Sequence, residues 1–141
     1  MLIFKINKTM KIYNSEFLAI HSYISLGYLE IVWKIETLLA TEKEFKQWNL
    51  DLAKTVEQYK PNALLLNAVE HNFEISEELQ KWATPCVFKP IENSGVKKMA
   101  VVLKNSFLSQ LTLELFIEDS VINLTTKYFE KKNEALNWLL T

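Results

Sequence analysis

Glu70, His71 and Glu74 stand together in one short polar stretch, and carboxylates beside an imidazole are the raw material of acid/base or metal chemistry. Such chemistry needs the groups to converge with further ligands, and the only other histidine is His21, on a segment the sequence does not orient. A solvated loop is the simpler reading of the cluster. Cys86, the single cysteine, follows Pro85 and precedes Val87-Phe88, with no base or cation beside it to activate a thiolate. It reads as an inward-facing structural thiol. Ser76 precedes Glu77 and Glu78 at a helix start, where a serine oxygen caps free amides and the same position could accept a phosphate. The capping role is the plainer one. Gly27 and Gly95, the two glycines, are too far apart for a phosphate-cradling loop, which excludes Walker-type and Rossmann fingerprints.

The elements that position these residues follow from periodicity. Lys11 to Ile35 predicts a hairpin: Leu18, Ile20, Ile24 and Leu26 precede a turn near Leu26-Gly27, and Leu29, Ile31, Trp33 and Ile35 alternate after it. Thr41 and Glu44 have capping-box spacing, and Phe45, Trp48, Leu52, Val56 and Tyr59 form one helical stripe that Pro61 ends. Two nearly continuous apolar runs, Ala63 to Val69 and Met99 to Leu103, fit strands buried on both faces. Between them a helical stretch opens at Ser76, is broken or kinked at Pro85, and closes at Pro90 and Gly95. Ser106 to Glu118 predicts another amphipathic helix, Lys127-Tyr128-Phe129 a short strand, and Glu134 to Leu140 a last helix with Ala135, Trp138 and Leu139 inward. Trp33, Trp48, Trp82 and Trp138 fall on inward stripes or at their margins and serve packing. The order predicts an α/β fold with a mixed sheet of about five strands and packed helices, in a single domain over 1–141 with 1–10 as an N-terminal extension.

Composition narrows the partners. The chain has 141 residues, 49% of them hydrophobic, with a net charge of -1, which suits one self-sufficient core and excludes intrinsic disorder. All 16 basic residues are lysine. With no arginine fork and a pI of about 6.1, nucleic acid is not an expected partner. A lone cysteine suits a reducing cytoplasm, and no cofactor is implied. The start Met1-Leu2-Ile3-Phe4 is too short for a signal peptide before Lys5, and the longest uncharged run, from Phe17 to Leu29, is too short to span a membrane. Low net charge and high hydrophobicity favour a two-fold dimer, with the first hairpin as its seam and Phe17 to Ile20 near an open sheet edge.

Four segments carry a family resemblance: Leu29 to Trp33, Ser76-Glu77-Glu78-Leu79-Gln80-Lys81-Trp82, Gly95 to Val102, and Tyr128-Phe129-Glu130 followed by Glu134 to Leu139. In order and spacing over about residues 11 to 140 the chain resembles the SpoIIAA-like proteins of the STAS superfamily, distantly similar to anti-sigma-factor antagonists and to lipid-binding CRAL-TRIO domains. Ile35 and Asn67 stand where such proteins commonly have a glycine and an acidic residue, and the Asp-Ser-Ser-Gly phosphorylation motif is absent. The resemblance implies the fold and a regulatory role in a bacterial cytoplasm, without the phosphoswitch.

Three functional expectations follow. The first is a non-enzymatic module that binds a protein partner, since no catalytic constellation emerges. The second, implied by the CRAL-TRIO similarity, is a carrier of a small apolar molecule or lipid. The third is an enzyme using Glu70, His71 and Glu74. For an interaction surface the expectation is the segment from Asn67 through Ser76, including Glu70, His71, Phe73 and Ile75, because it joins a buried strand to a helix start.

Overall fold

A computed structural model describes residues 9–104 and 124–141. Six strands form one mixed sheet in sequence order: β1 (Met10–Asn14), β2 (Leu18–Tyr23), β3 (Tyr28–Trp33), β4 (Ala63–Asn67), β5 (Lys98–Val102) and β6 (Thr125–Phe129). The first three pair antiparallel and the rest parallel, with Leu66 beside Val101 at the centre. Parallel neighbours require crossovers, and helix α1 (Glu42–Tyr59) supplies the one between β3 and β4. A broken helix, α2 (Glu77–Ala83) and α3 (Lys89–Asn93) joined through a π turn at Thr84–Phe88, links β4 to β5. Pro85 lacks the N–H an α turn needs, and the Lys89 amide reaches back to the Thr84 carbonyl across the wider turn. The last helix, α4 (Lys132–Leu139), follows β6.

The sheet is covered on both faces. On one, Leu18, Ile20, Leu29, Ile31, Leu64 and Val101 pack against Phe45, Trp48, Leu52 and Val56 of α1 and against Leu79, Val87 and Ile91. On the other, Leu65, Ala100 and Val102 meet Ala135 and Leu139 of α4. Alternate residues of β4 and β5 therefore serve different cores, which is why these strands are apolar throughout.

Two expectations change. The sheet has six strands, because Met10–Asn14 pairs with β2 and so closes the Phe17 to Ile20 edge proposed as a dimer seam. A register shift between Lys11 and Tyr13 lets the neighbouring Ile12 and Tyr13 both pack on the same core. The Tyr13 hydroxyl donates to Asp51 Oδ2 at 2.6 Å and ties the new edge strand to α1; burial, then this bond, pushes the phenol pKa up to about 12. The second change is at Ile35. The β3 alternation stops at Trp33, and Ile35–Leu39 is a 3₁₀ turn. The helix expected over Ser106 to Glu118 lies outside the described residues.

Candidate functional site

Strands β3 and β4 run parallel, so the segments leaving their carboxyl ends, 34–40 and 68–76, emerge side by side. Ligand sites of open α/β sheets form at such ends. Thr37, fully buried, fastens the two together. Its hydroxyl donates to the Lys34 carbonyl at 2.9 Å, accepts the Asn72 amide at 2.9 Å and lies 3.3 Å from the Glu70 carbonyl. The loop is also tied to the sheet, through the Ala68 amide on the Val102 carbonyl at 2.9 Å, and closed by the His71 amide on the Ala68 carbonyl.

Behind this seam lies an aromatic cluster. The His71 ring meets the edge of Trp33 at 5.4 Å and of Trp48 at 6.3 Å between centroids. Phe73 stacks on Phe45 at 4.7 Å and stands edge-on to Trp48 at 5.7 Å. Burial drives the His71 pKa down to about 4 against the opposing effect of a bond to its own backbone, so the imidazole is neutral at neutral pH. Neither Glu70 nor Glu74 contributes to that shift. The buried indole N–H groups of Trp33 and Trp48 have no hydrogen-bond acceptor among the described residues.

The structure separates the residues that sequence alone grouped. Glu70 is exposed, its Oε2 3.8 Å from Lys104 Nζ in an ion pair that is itself largely in solvent. Glu74 is exposed as well, while His71 turns into the aromatic cluster. The triad Glu70, His71 and Glu74 is therefore split, with both carboxylates in solvent and the half-buried imidazole turned to the aromatic cluster. Among the described residues no set of three His, Cys, Asp or Glu side chains is placed to hold a metal. Asn67, half-buried, accepts the Val69 amide at 3.4 Å. Ile75 is buried and Phe73 half-buried in the core, so the apolar pair of the loop folds back, and Ser76 caps α2 by accepting the Leu79 amide at 3.3 Å. Cys86 is half-buried against the same core.

What faces solvent instead is the 3₁₀ turn, where Ile35, Leu38 and Leu39 are 57%, 62% and 87% exposed. The β3 alternation runs on through Ile35 in the sequence, and Leu38-Leu39 carries no motif there. The available sign was that Leu38-Leu39 fits neither the strand alternation before it nor the helical stripe after Thr41.

No helix among the described residues is long and apolar enough to cross a membrane. No family model, curated protein or solved structure matches the chain.

Proposed function

We propose that this protein is a non-enzymatic binding or regulatory module of the bacterial cytoplasm, of the SpoIIAA-like STAS type that its sequence resembles. The observation that carries the reading is the exposed apolar turn Ile35–Leu39, which Thr37 ties by hydrogen bonds to the 68–76 loop. Apolar side chains carried outward on a hydrogen-bonded backbone spare the turn itself from ordering on docking, which favours a protein partner. That both carboxylates, Glu70 and Glu74, point to solvent while the His71 ring turns to Trp33 and Trp48 supports a binding role over a catalytic one. Affinity capture with the wild-type chain and with Leu38→Ser/Leu39→Ser tests it. A partner recovered by the first and lost by the second is expected, and equal recovery by both overturns the reading.

One observation favours a small-molecule carrier as the second reading: the two buried indole N–H groups of Trp33 and Trp48 beside a neutral His71. Ligand oxygens accepting from them would satisfy these groups. Native mass spectrometry of protein purified from cells separates the readings, since a stoichiometric bound small molecule identifies the carrier. The two-fold dimer belongs to the same proposal, and a single monomer mass in sedimentation equilibrium at all concentrations removes it.

A further inference from the structure

The exposed turn does not stand in neutral surroundings. Across residues 35–44 and 67–76 the ionic side chains are Glu36, Glu42, Glu44, Glu70 and Glu74 against Lys43 alone, a balance of -4 in a chain whose total is -1. The two segments form one continuous surface because Thr37 bonds Asn72 and Glu70 across their seam, and Phe73 stacks on Phe45 of α1 beyond it. The bordering lysines keep their charge, but their ammonium groups are drawn to other partners. Lys34 Nζ is held by Asn14 Oδ1 at 2.8 Å and the Ser15 carbonyl at 2.6 Å, Lys46 lies over the Trp82 ring, and Lys104 faces Glu70. Glu44 is spent on its own helix cap, accepting the Thr41 amide, and Glu70 on Lys104, which leaves Glu36, Glu42 and Glu74 as the exposed negative rim.

We infer that this surface docks a cationic amphipathic segment of a protein partner, its apolar face on Ile35, Leu38 and Leu39 and its lysines or arginines on the acidic rim. The inference rests on the binding-module reading above and adds the partner's chemistry. Charge complementarity selects this occupant: an acidic segment would meet like charge, and an anionic lipid surface would be repelled by the rim. A second copy of the same surface would bring two acidic rims together, which disfavours two-fold self-docking here. Docking of an apolar face with charged flanks is a recurring mode of peptide recognition.

The test uses the full chain and two fluorescein-labelled helical peptides of one apolar pattern, one built from leucine and lysine, the other from leucine and glutamate. Fluorescence anisotropy is expected to show the lysine peptide binding at least about tenfold tighter, with the difference shrinking at high salt. Leu38→Ser/Leu39→Ser is expected to abolish that binding, and Glu36→Gln/Glu74→Gln to weaken it several-fold. These sites are exposed, and circular dichroism checks that each variant stays folded. If both peptides bind equally and both are lost with the leucines, the docking surface stands and the cationic partner is overturned. If the leucine substitutions leave lysine-peptide binding unchanged, the surface itself is overturned. Leucine-dependent binding to zwitterionic vesicles without peptide binding, or leucine-dependent dimerisation in sedimentation, also overturns it, in favour of a lipid surface or a second copy.

Discussion

Lys132 Nζ, at the first turn of α4, lies 2.9 Å from Oε2 and 3.1 Å from Oε1 of Glu30, at the middle of β3. The carboxylate is inside and the lysine half in solvent, with side-chain exposures of 4% and 47%. A charge so placed on the α4 face of the sheet is tolerable only because Lys132 answers it. Removing Lys132 leaves a buried carboxylate unpaired. Lys132→Met is expected to lower stability by about 1–3 kcal/mol, less than a fully buried pair would lose because Lys132 is half solvated. Glu30→Gln/Lys132→Met should recover part of it, as read from urea midpoints in a double-mutant cycle. Equal midpoints for wild type and Lys132→Met would refute the dependence.

Thr37 is the next place where one atom holds two segments. Thr37→Val keeps the shape and deletes the buried hydroxyl, leaving the half-buried Asn72 amide without its acceptor. The expected cost is about 1–2 kcal/mol. Hydrogen exchange distinguishes a local from a global effect: the Asn72 amide should lose protection first, while β4 and β5 amides keep theirs. Uniform loss across the sheet would show that the seam is not a separate unit.

Gly27, with φ of 83°, makes the turn between β2 and β3 that alternation predicted. An added Cβ would also meet Asn62 Nδ2 at 3.2 Å. Gly27→Ala is expected to cost about 1–2 kcal/mol, most of it from the left-handed backbone. Thr41→Ala should cost about 1 kcal/mol by opening a capping box in which the Glu44 amide donates to Thr41 Oγ1 at 3.1 Å and Glu44 Oε1 accepts the Thr41 amide at 2.9 Å. Both are checked by thermal or urea unfolding, and a change below about 0.3 kcal/mol for either would contradict the geometry.

Those two features were legible because a single residue type enforces them within three or four positions. The same holds for Pro61, ahead of which Lys60 ends α1 in a left-handed conformation, and for the unbroken apolar runs of β4 and β5. Met10–Asn14 was not legible as a strand, because its bulge puts Ile12 and Tyr13 on one core and erases the alternation that marks a strand. Ile35 misled in the opposite way. It continues the rhythm of Leu29, Ile31 and Trp33, yet the Thr37 amide and hydroxyl both bind the Lys34 carbonyl and curl the chain out of the sheet. At the candidate site the 67–76 loop was placed correctly after a buried strand, but which of its side chains faced outward depended on the aromatic partners Trp33, Phe45 and Trp48, which come from other elements. Contacts between residues so distant in sequence leave no local trace.

His71 gives the fold a specific acid sensitivity. Its pKa is held near 4 by burial in the native state, against an ordinary value of 6.5, and an unfolded chain restores the ordinary value. Between those two pH values the unfolded state binds more protons than the native one, so stability rises with pH across the window. Above pH 6.5 the imidazole is neutral in both states and its contribution is complete; as pH falls towards 4 that contribution is lost. The expected slope is on the order of 1 kcal/mol per pH unit. Urea unfolding of wild type and His71→Phe from pH 4 to 7 measures it, because phenylalanine keeps a ring beside Trp33 and Trp48 without a titrating group. The stability of wild type minus that of His71→Phe should rise with pH through the window and level off above it. A difference independent of pH would mean that the His71 ring is hydrated in the native state, and the aromatic enclosure would then have to be open to water.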